Sequence, residues 1–318
     1  MPRIALYTCP QTVLSSLSMA DDAFRLANRL AGEALFEPVR ISADGRPVQL
    51  DYAQLSVDGD LRLAESAELL LIPATGSDLD KSLEDNAELV AWLAARPVGQ
   101  SLASLCSSAC LLAASGQLDG RRATTHWALA DAFRRRFPRV RLHIEAMFTE
   151  DGNRFCSGGA QAGLDLCLRL IARHADDWLA QRVAAALVVD QRRGPQSRYA
   201  PLLPSRGQDD AQIAPLLRWM ARHHAEPIDL ACLAERASCS TRTLLRRFKA
   251  ATGLTPNDYL QRLRIDAAQH ALRNPAHSLE RVAAQVGYAD RATFARLFKQ
   301  LCGETPGAFR KRLRDAPG

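Results

Sequence analysis

Two sets of side chains in this 318-residue sequence have the types and spacing for chemistry. The first is a duplicated, arginine-bearing frame near the C-terminus. Leu244, Arg246, Phe248, Lys249, Gly253, Thr255, Pro256 and Arg264 match Phe294, Arg296, Phe298, Lys299, Gly303, Thr305, Pro306 and Arg314, fifty residues further on. Matches this dense read as an internal repeat. Each copy is expected to form helix, tight turn, helix, with turns at Ser238-Cys239-Ser240 and at Gly287-Tyr288-Ala289-Asp290. In a helix-turn-helix the second helix lies in the major groove of DNA and presents its first residues to base edges. The reading helices are then Thr241 to Ala251 and Arg291 to Leu301. Leu244 and Phe248, and likewise Phe294 and Phe298, are four apart and face inward. Arg242, Leu245 and Arg246 fall on the other side of the first helix, and Arg291, Ala292, Ala295 and Arg296 near the outer side of the second. An arginine paired bidentately with guanine discriminates by about 1–3 kcal/mol, and an alanine can meet a thymine methyl. Lys249 and Lys299 come later on their helices and suit phosphate, which positions the protein without reading sequence.

The second set centres on Cys106. It follows the strand-like run Leu102 to Leu105 and precedes Ser107-Ser108-Ala109 and a helical run. A sharp strand-to-helix turn needs small neighbours, and a helix N-terminus stabilises a thiolate. The same pattern also fits a cysteine that is simply packed.

The elements that must position these groups differ between the two ends of the chain. From Ile213 to Gly318 there are 15 Arg and 3 Lys against 9 acidic residues, a net charge of +9, and the rest of the chain carries −3. A basic module suits a polyanion, although charge alone supports only non-specific binding. Periodicity there is helical throughout. Thr255-Pro256 and Thr305-Pro306 each offer a capping hydroxyl with proline at the first helical position, and Ser278 and Asp290 are further cap candidates. Before it, residues 191–212 are rich in Pro, Gly, Ser and charge and read as a linker. Residues 1–190 alternate strand-like runs (Ile4 to Tyr7, Pro38 to Ile41, Leu69 to Ile72, Leu102 to Leu105, Val140 to Ile144) with helical patterns (Leu17 to Leu30, Leu83 to Ala95, Ala128 to Phe137, and one long helix from Leu164 to about Val189). Such alternation predicts an α/β domain with a mostly parallel sheet covered on both faces. The division is therefore 1–190, 191–212 and 213–318.

No apolar run reaches the roughly 18 residues of a membrane span. The first residues lack a signal-peptide pattern, so the expected location is the cytoplasm, on the nucleoid, with no membrane partner. The eight cysteines form no Cys-x-x-Cys pair and read as free thiols, with no metal site and no cofactor expected.

The stretch Leu279 to Leu313, with Ala283, Gly287-Tyr288, Phe294, Arg296, Phe298-Lys299, Gly303-Glu304-Thr305-Pro306 and Arg310, resembles the signature of AraC/XylS-type regulators. The resemblance implies seven helices and two helix-turn-helix units joined by a long helix, Pro256 to Leu272, of about 25 Å. Its base-reading positions fall on Arg242, Leu245, Arg246, Arg291, Ala292 and Arg296. Leu245 departs from the polar residue often found at its position.

The stretch Ser104 to Ala113, then Gly116-Gln117-Leu118-Asp119-Gly120-Arg121-Arg122-Ala123-Thr124-Thr125-His126-Trp127, Gly152, Ser157-Gly158-Gly159 and Ala162-Gly163-Leu164-Asp165, resembles the ThiJ/PfpI domain, a flavodoxin-like relative of class I glutamine amidotransferases that is found fused to AraC-type regulators. In the enzymes of that superfamily a cysteine works with a histidine and an acid. Cys106 and His126 match the first two, and the acid position falls on Ser16. A thiol lacking a partner is a poor nucleophile near pH 7, so the expectation is a binding pocket with no catalytic residue. Ligands collect beyond the C-terminal strand ends of such sheets. That places Ser16, Cys106, Ser107, His126, Trp127, Ser157 and Gly158 at the pocket. The resemblance implies a nitrogen metabolite, a small amine or amino acid, as effector. Specific binding often reads two half-sites, so a homodimer on promoter DNA is expected, and the resemblance implies an activator in contact with RNA polymerase. The rival expectations are a cysteine hydrolase or amidotransferase, and a redox sensor acting through Cys106.

Overall fold

The computed structural model describes residues 1–96, 99–190, 196, 199, 202–203 and 210–315, in two compact units, Met1–Ser197 and Arg198–Gly318. In the first unit the chain runs β1 (Arg3–Tyr7), α1 (Leu14–Ala31), β2 (Glu37–Ile41), a small ribbon of β3 (Val48–Gln49) and β4 (Gln54–Leu55), α2 (Leu61–Glu65), β5 (Leu69–Ile72), α3 (Leu79–Asp85), α4 (Ala87–Ala94) and β6 (Ser101–Leu105). It continues through α5 (Ala109–Ala114), β7 (Arg122–Ala123), α6 (Ala130–Arg136), β8 (Arg141–Leu142), β9 (Phe148–Asp151), β10 (Arg154–Ser157), α7 (Ala162–His174) and α8 (Asp177–Ala186). Six strands form one sheet in the order β2-β1-β5-β6-β10-β9. Every pairing is parallel except β9 with β10.

Alternate residues of these strands serve different layers, as the period of two requires. Ile4, Leu6, Leu69, Leu71, Ala103, Leu105 and Phe155 pack into the core shared with α1, α7 and α8. Ala5, Tyr7, Leu70, Ile72, Leu102 and Cys156 pack into the core on the other face. A sheet covered on both faces buries nearly every strand residue, which is why these strands read as continuous apolar runs.

Three expectations about elements are corrected. The long helix from Leu164 to Val189 is two helices, because Asp176 is extended and its carboxylate accepts the Leu179 amide at 2.7 Å, starting α8 afresh. The pattern from Leu83 to Ala95 breaks at Asn86, whose side chain donates to the Ser82 carbonyl and accepts from the Tyr7 hydroxyl. Val140 to Ile144 contributes only the two-residue strand β8, paired with β7 outside the main sheet. The β9–β10 hairpin around Gly152 takes the edge of that sheet instead.

The second unit is helical: α9 (Ile213–His223), α10 (Leu230–Arg236), α11 (Thr241–Thr252), α12 (Pro256–Ala271), α13 (Leu279–Gln285), α14 (Arg291–Cys302) and α15 (Pro306–Asp315). It holds two separate cores, and α12 contributes to both. Tyr259, Leu260 and Leu263 pack with Leu233, Leu244 and Phe248. Ile265, Ala268 and Leu272 pack with Val282, Phe294 and Phe298. The repeat persists in the punctuation. Gly253 and Gly303 end α11 and α14 in the left-handed conformation, at φ 77° and 75°. Thr255 and Thr305 accept the Asp258 and Ala308 amides at the next N-termini. Two leucines of the proposed linker belong to these cores: Leu202 lies in the second, and Leu203 packs against the first.

Candidate functional site

The surfaces of α11 and α14 follow from where their apolar residues go. Leu244 and Phe248 are fully buried, and Arg242, Leu245, Arg246 and Lys249 are exposed. Phe294 and Phe298 are fully buried, and Arg291, Ala292, Arg296 and Lys299 are exposed. Both helices start at a formed cap. Ser240 accepts the Thr243 amide at 3.3 Å, and Asp290 accepts the Ala292 and Thr293 amides at 3.1 and 2.7 Å. The hydrogen bonds from Thr293 and the Ala292 amide hold the Asp290 carboxyl below its ordinary range, so it stays charged. The eight positions expected to meet bases and phosphates thus lie on the exposed face of two capped helices. The rods differ in charge pairing. Arg291 is ion-paired with Glu280, whereas among the described residues Arg242 and Arg246 have no recorded hydrogen bond or ion pair.

In the first unit, β6 ends at Leu105 and Cys106 follows with φ 60°, one of the few non-glycine residues in the left-handed region. That conformation is sparsely populated for a residue with a Cβ. Its neighbours hold it. Ser108 Oγ accepts the Leu105 amide at 3.0 Å and donates to the Ile72 carbonyl at 2.7 Å. Ser107 Oγ accepts the Thr75 amide at 3.0 Å, and Thr125 Oγ1 donates to the Cys106 carbonyl at 2.9 Å. Burial pushes the Cys106 thiol above its ordinary value of 9.0, only partly offset by the amides of Ser107 and Ala160. The group is a thiol at neutral pH.

His126 Nδ1 accepts the Ala128 amide at 3.2 Å, which leaves the proton on Nε2. Burial pushes its pKa down, so the ring is neutral near pH 7. Its ring centroid lies 4.8 Å from that of Trp127. No carboxylate figures in the shift of either Cys106 or His126. Ser16, at the position matched to the acid, is buried, donates to the Val13 carbonyl at 2.7 Å and accepts the Ala74 amide at 3.0 Å. Its hydroxyl, like that of Ser107, is engaged with main chain. Ser157 Oγ, at the end of β10 beside Leu105, is fully buried and has no hydrogen-bond partner among the described residues. Gly158 is kept bare by a residue that sequence reasoning missed. A Cβ there would overlap the carboxamide of Gln196. Gln196 lies in the segment read as linker, and no pattern in its neighbourhood signals a buried role. No group of three or more metal-ligating side chains occurs among the described residues.

The fold and the paired rods define a helix-turn-helix transcriptional regulator with an α/β domain. A family model described as a helix-turn-helix domain matches residues 233–312. The transcriptional regulator CdhR of Pseudomonas aeruginosa is 31% identical over 297 residues, covering 92% of this chain and 87% of that protein. The transcriptional regulator GbdR of the same species is 29% identical over 296 residues, covering 92% and 80%. Among solved structures, a ThiJ/PfpI family protein from Pseudomonas syringae superposes with a TM-score of 0.50 at 24% identity, over 59% of this chain and 75% of that one, which concerns the fold alone. This chain belongs to the AraC/XylS family of DNA-binding transcriptional regulators, and its N-terminal domain shares the fold of that ThiJ/PfpI family protein.

Proposed function

We propose that this regulator is switched by a small metabolite bound beside Cys106, and that the Cys106 elbow recognises its ligand without catalysis. The observation that carries this reading is the state of the elbow. A thiol pushed up by burial, a neutral histidine whose Nδ1 is already engaged, and a serine in place of the acid lack the means to generate a nucleophile at pH 7. The buried, unpartnered Ser157 hydroxyl supplies a polar group for a ligand to satisfy. A small amine or amino acid fits, since the Ser157 hydroxyl and main-chain carbonyls accept from an ammonium and the His126 Nε2–H donates to a carboxylate. The indole of Trp127 offers a face to a cation. The protein acts in the cytoplasm as a homodimer on promoter DNA, as an activator that contacts RNA polymerase. Ligand control requires different affinity for two arrangements of the protein.

Two measurements test this. Binding of the purified protein to its own promoter and to random DNA, with and without a panel of amines and amino acids, must show promoter preference and a shift by at least one metabolite. Equal affinity for both DNAs throughout sinks the reading. Alkylation of Cys106, followed by mass spectrometry as pH rises, should show its inflection above pH 9. An inflection below pH 7, or an amidase activity lost in Cys106→Ala, would establish the hydrolase instead.

A further inference from the structure

Gln196 is 3% exposed, although it sits in a stretch whose composition reads as a solvated linker. Its carboxamide enters a recess built almost entirely from main chain. Nε2 donates to the carbonyls of Ile144 at 2.9 Å and Thr125 at 3.1 Å, with Ala146 O and Thr124 Oγ1 at 3.4 and 3.5 Å. Oε1 accepts the Trp127 amide at 3.0 Å. The Gln196 main-chain amide donates to the Glu145 carbonyl at 2.7 Å. The wall facing the carboxamide is Gly158, where any Cβ would collide with it. A recess with carbonyl acceptors for one atom, an N–H donor for the next and a glycine wall is complementary to a primary carboxamide. A carboxylate would set lone pairs against those carbonyls, and an aliphatic chain would leave the Trp127 amide unsatisfied.

We infer that this recess is a carboxamide-binding subsite at the edge of the effector pocket, filled in this state by Gln196 acting as a latch on the linker. Trp127 and Gly158, both placed at the pocket, form part of it, so an effector that shifts either residue loosens the latch. That link to the effector rests on the function proposed above, but the latch does not. Five residues separate Gln196 from Leu202, which is buried in the second unit and whose carbonyl accepts from Arg262 at 3.2 Å. The latch therefore anchors the chain at Gln196, six positions before Leu202.

The test uses the full-length protein without DNA or effector, so its outcome is independent of promoter binding. Gln196→Ala and the isosteric Gln196→Glu should each speed trypsin cleavage at the neighbouring Arg193 and Arg198 by about tenfold, the loss of two hydrogen bonds' net worth or more. Amide exchange at Trp127, read by NMR, should rise by a similar factor in both variants. The Leu129 amide, which donates to the His126 carbonyl, serves as the unaffected reference. Propionamide, the side-chain fragment of glutamine, should slow Trp127 exchange again in Gln196→Ala but leave linker cleavage fast, because it fills the recess without tethering the chain. Unchanged cleavage and exchange in both variants would overturn the latch. Faster cleavage with no response of Trp127 exchange to propionamide would overturn the carboxamide subsite.

Discussion

The two helix-turn-helix copies share their frame and differ at the turn. In the first, the turn residue Ser238 takes φ 50°; in the second, Gly287 takes φ 88°. Both turns close in the same way. Cys239 N bonds to Ala234 O, and Tyr288 N to Ala283 O. What separates them is the surroundings. A Cβ on Gly287 would lie 2.6 Å from the Ala225 carbonyl oxygen, in the loop between α9 and α10. Arg264 from α12 braces the same seam, donating to the carbonyls of His224 at 2.7 Å and Glu226 at 2.9 Å, with its guanidinium 5.5 Å from the Tyr288 ring. The first turn carries a side chain with some backbone strain; the second lies against its neighbour and has no room for one. The copies also differ in charge. Arg291 is tied to Glu280, whereas among the described residues Arg242 and Arg246 have no hydrogen bond or ion pair. A duplicated sequence has become one copy that also forms the seam and one that presents the less encumbered cations.

That contrast can be broken in order of effect. Gly287→Ala should cost about 2–4 kcal/mol, from a backbone overlap added to an unfavourable φ, read as a lower midpoint in urea unfolding. A loss below half a kilocalorie per mole would mean the seam yields easily. Arg246→Ala should weaken promoter binding by about 1–3 kcal/mol. Arg291→Ala should cost less, because DNA contact must first break its pair with Glu280. Equal losses in fluorescence anisotropy titrations would erase the charge difference between the copies. Lys249→Ala and Lys299→Ala should each lower the slope of log affinity against log salt by about one, with little change in sequence preference. Ser238→Gly should be the mildest, stabilising by up to about 1 kcal/mol as the strain at φ 50° is relieved. A destabilisation in the same urea assay would show that the serine side chain holds the turn.

Much of this architecture was legible. The spacing of Leu244 and Phe248, and of Phe294 and Phe298, predicted which faces of α11 and α14 are buried, because an amphipathic helix has only one way to hide such a stripe. The run Leu69 to Ile72 read as a strand for a similar local reason. Asp176 and Asn86 were harder. One caps a new helix and the other serves tertiary hydrogen bonds, and their residue type alone does not say which. Ser16 is found only through resemblance; its bond to Val13 is local, whereas its bond to Ala74 depends on a loop 58 residues away.

The sequence by itself determined the period of each element, the duplication and the uneven charge, since all three are properties of neighbours along the chain. Tertiary structure alone decided that Gly287 must lack a side chain, that the Cys106 thiol is raised by burial, and that Gln196 leaves the solvent for a ring of main-chain carbonyls. Each of these depends on atoms distant in sequence: close packing, desolvation and hydrogen-bond complementarity act only once the chain has brought them together.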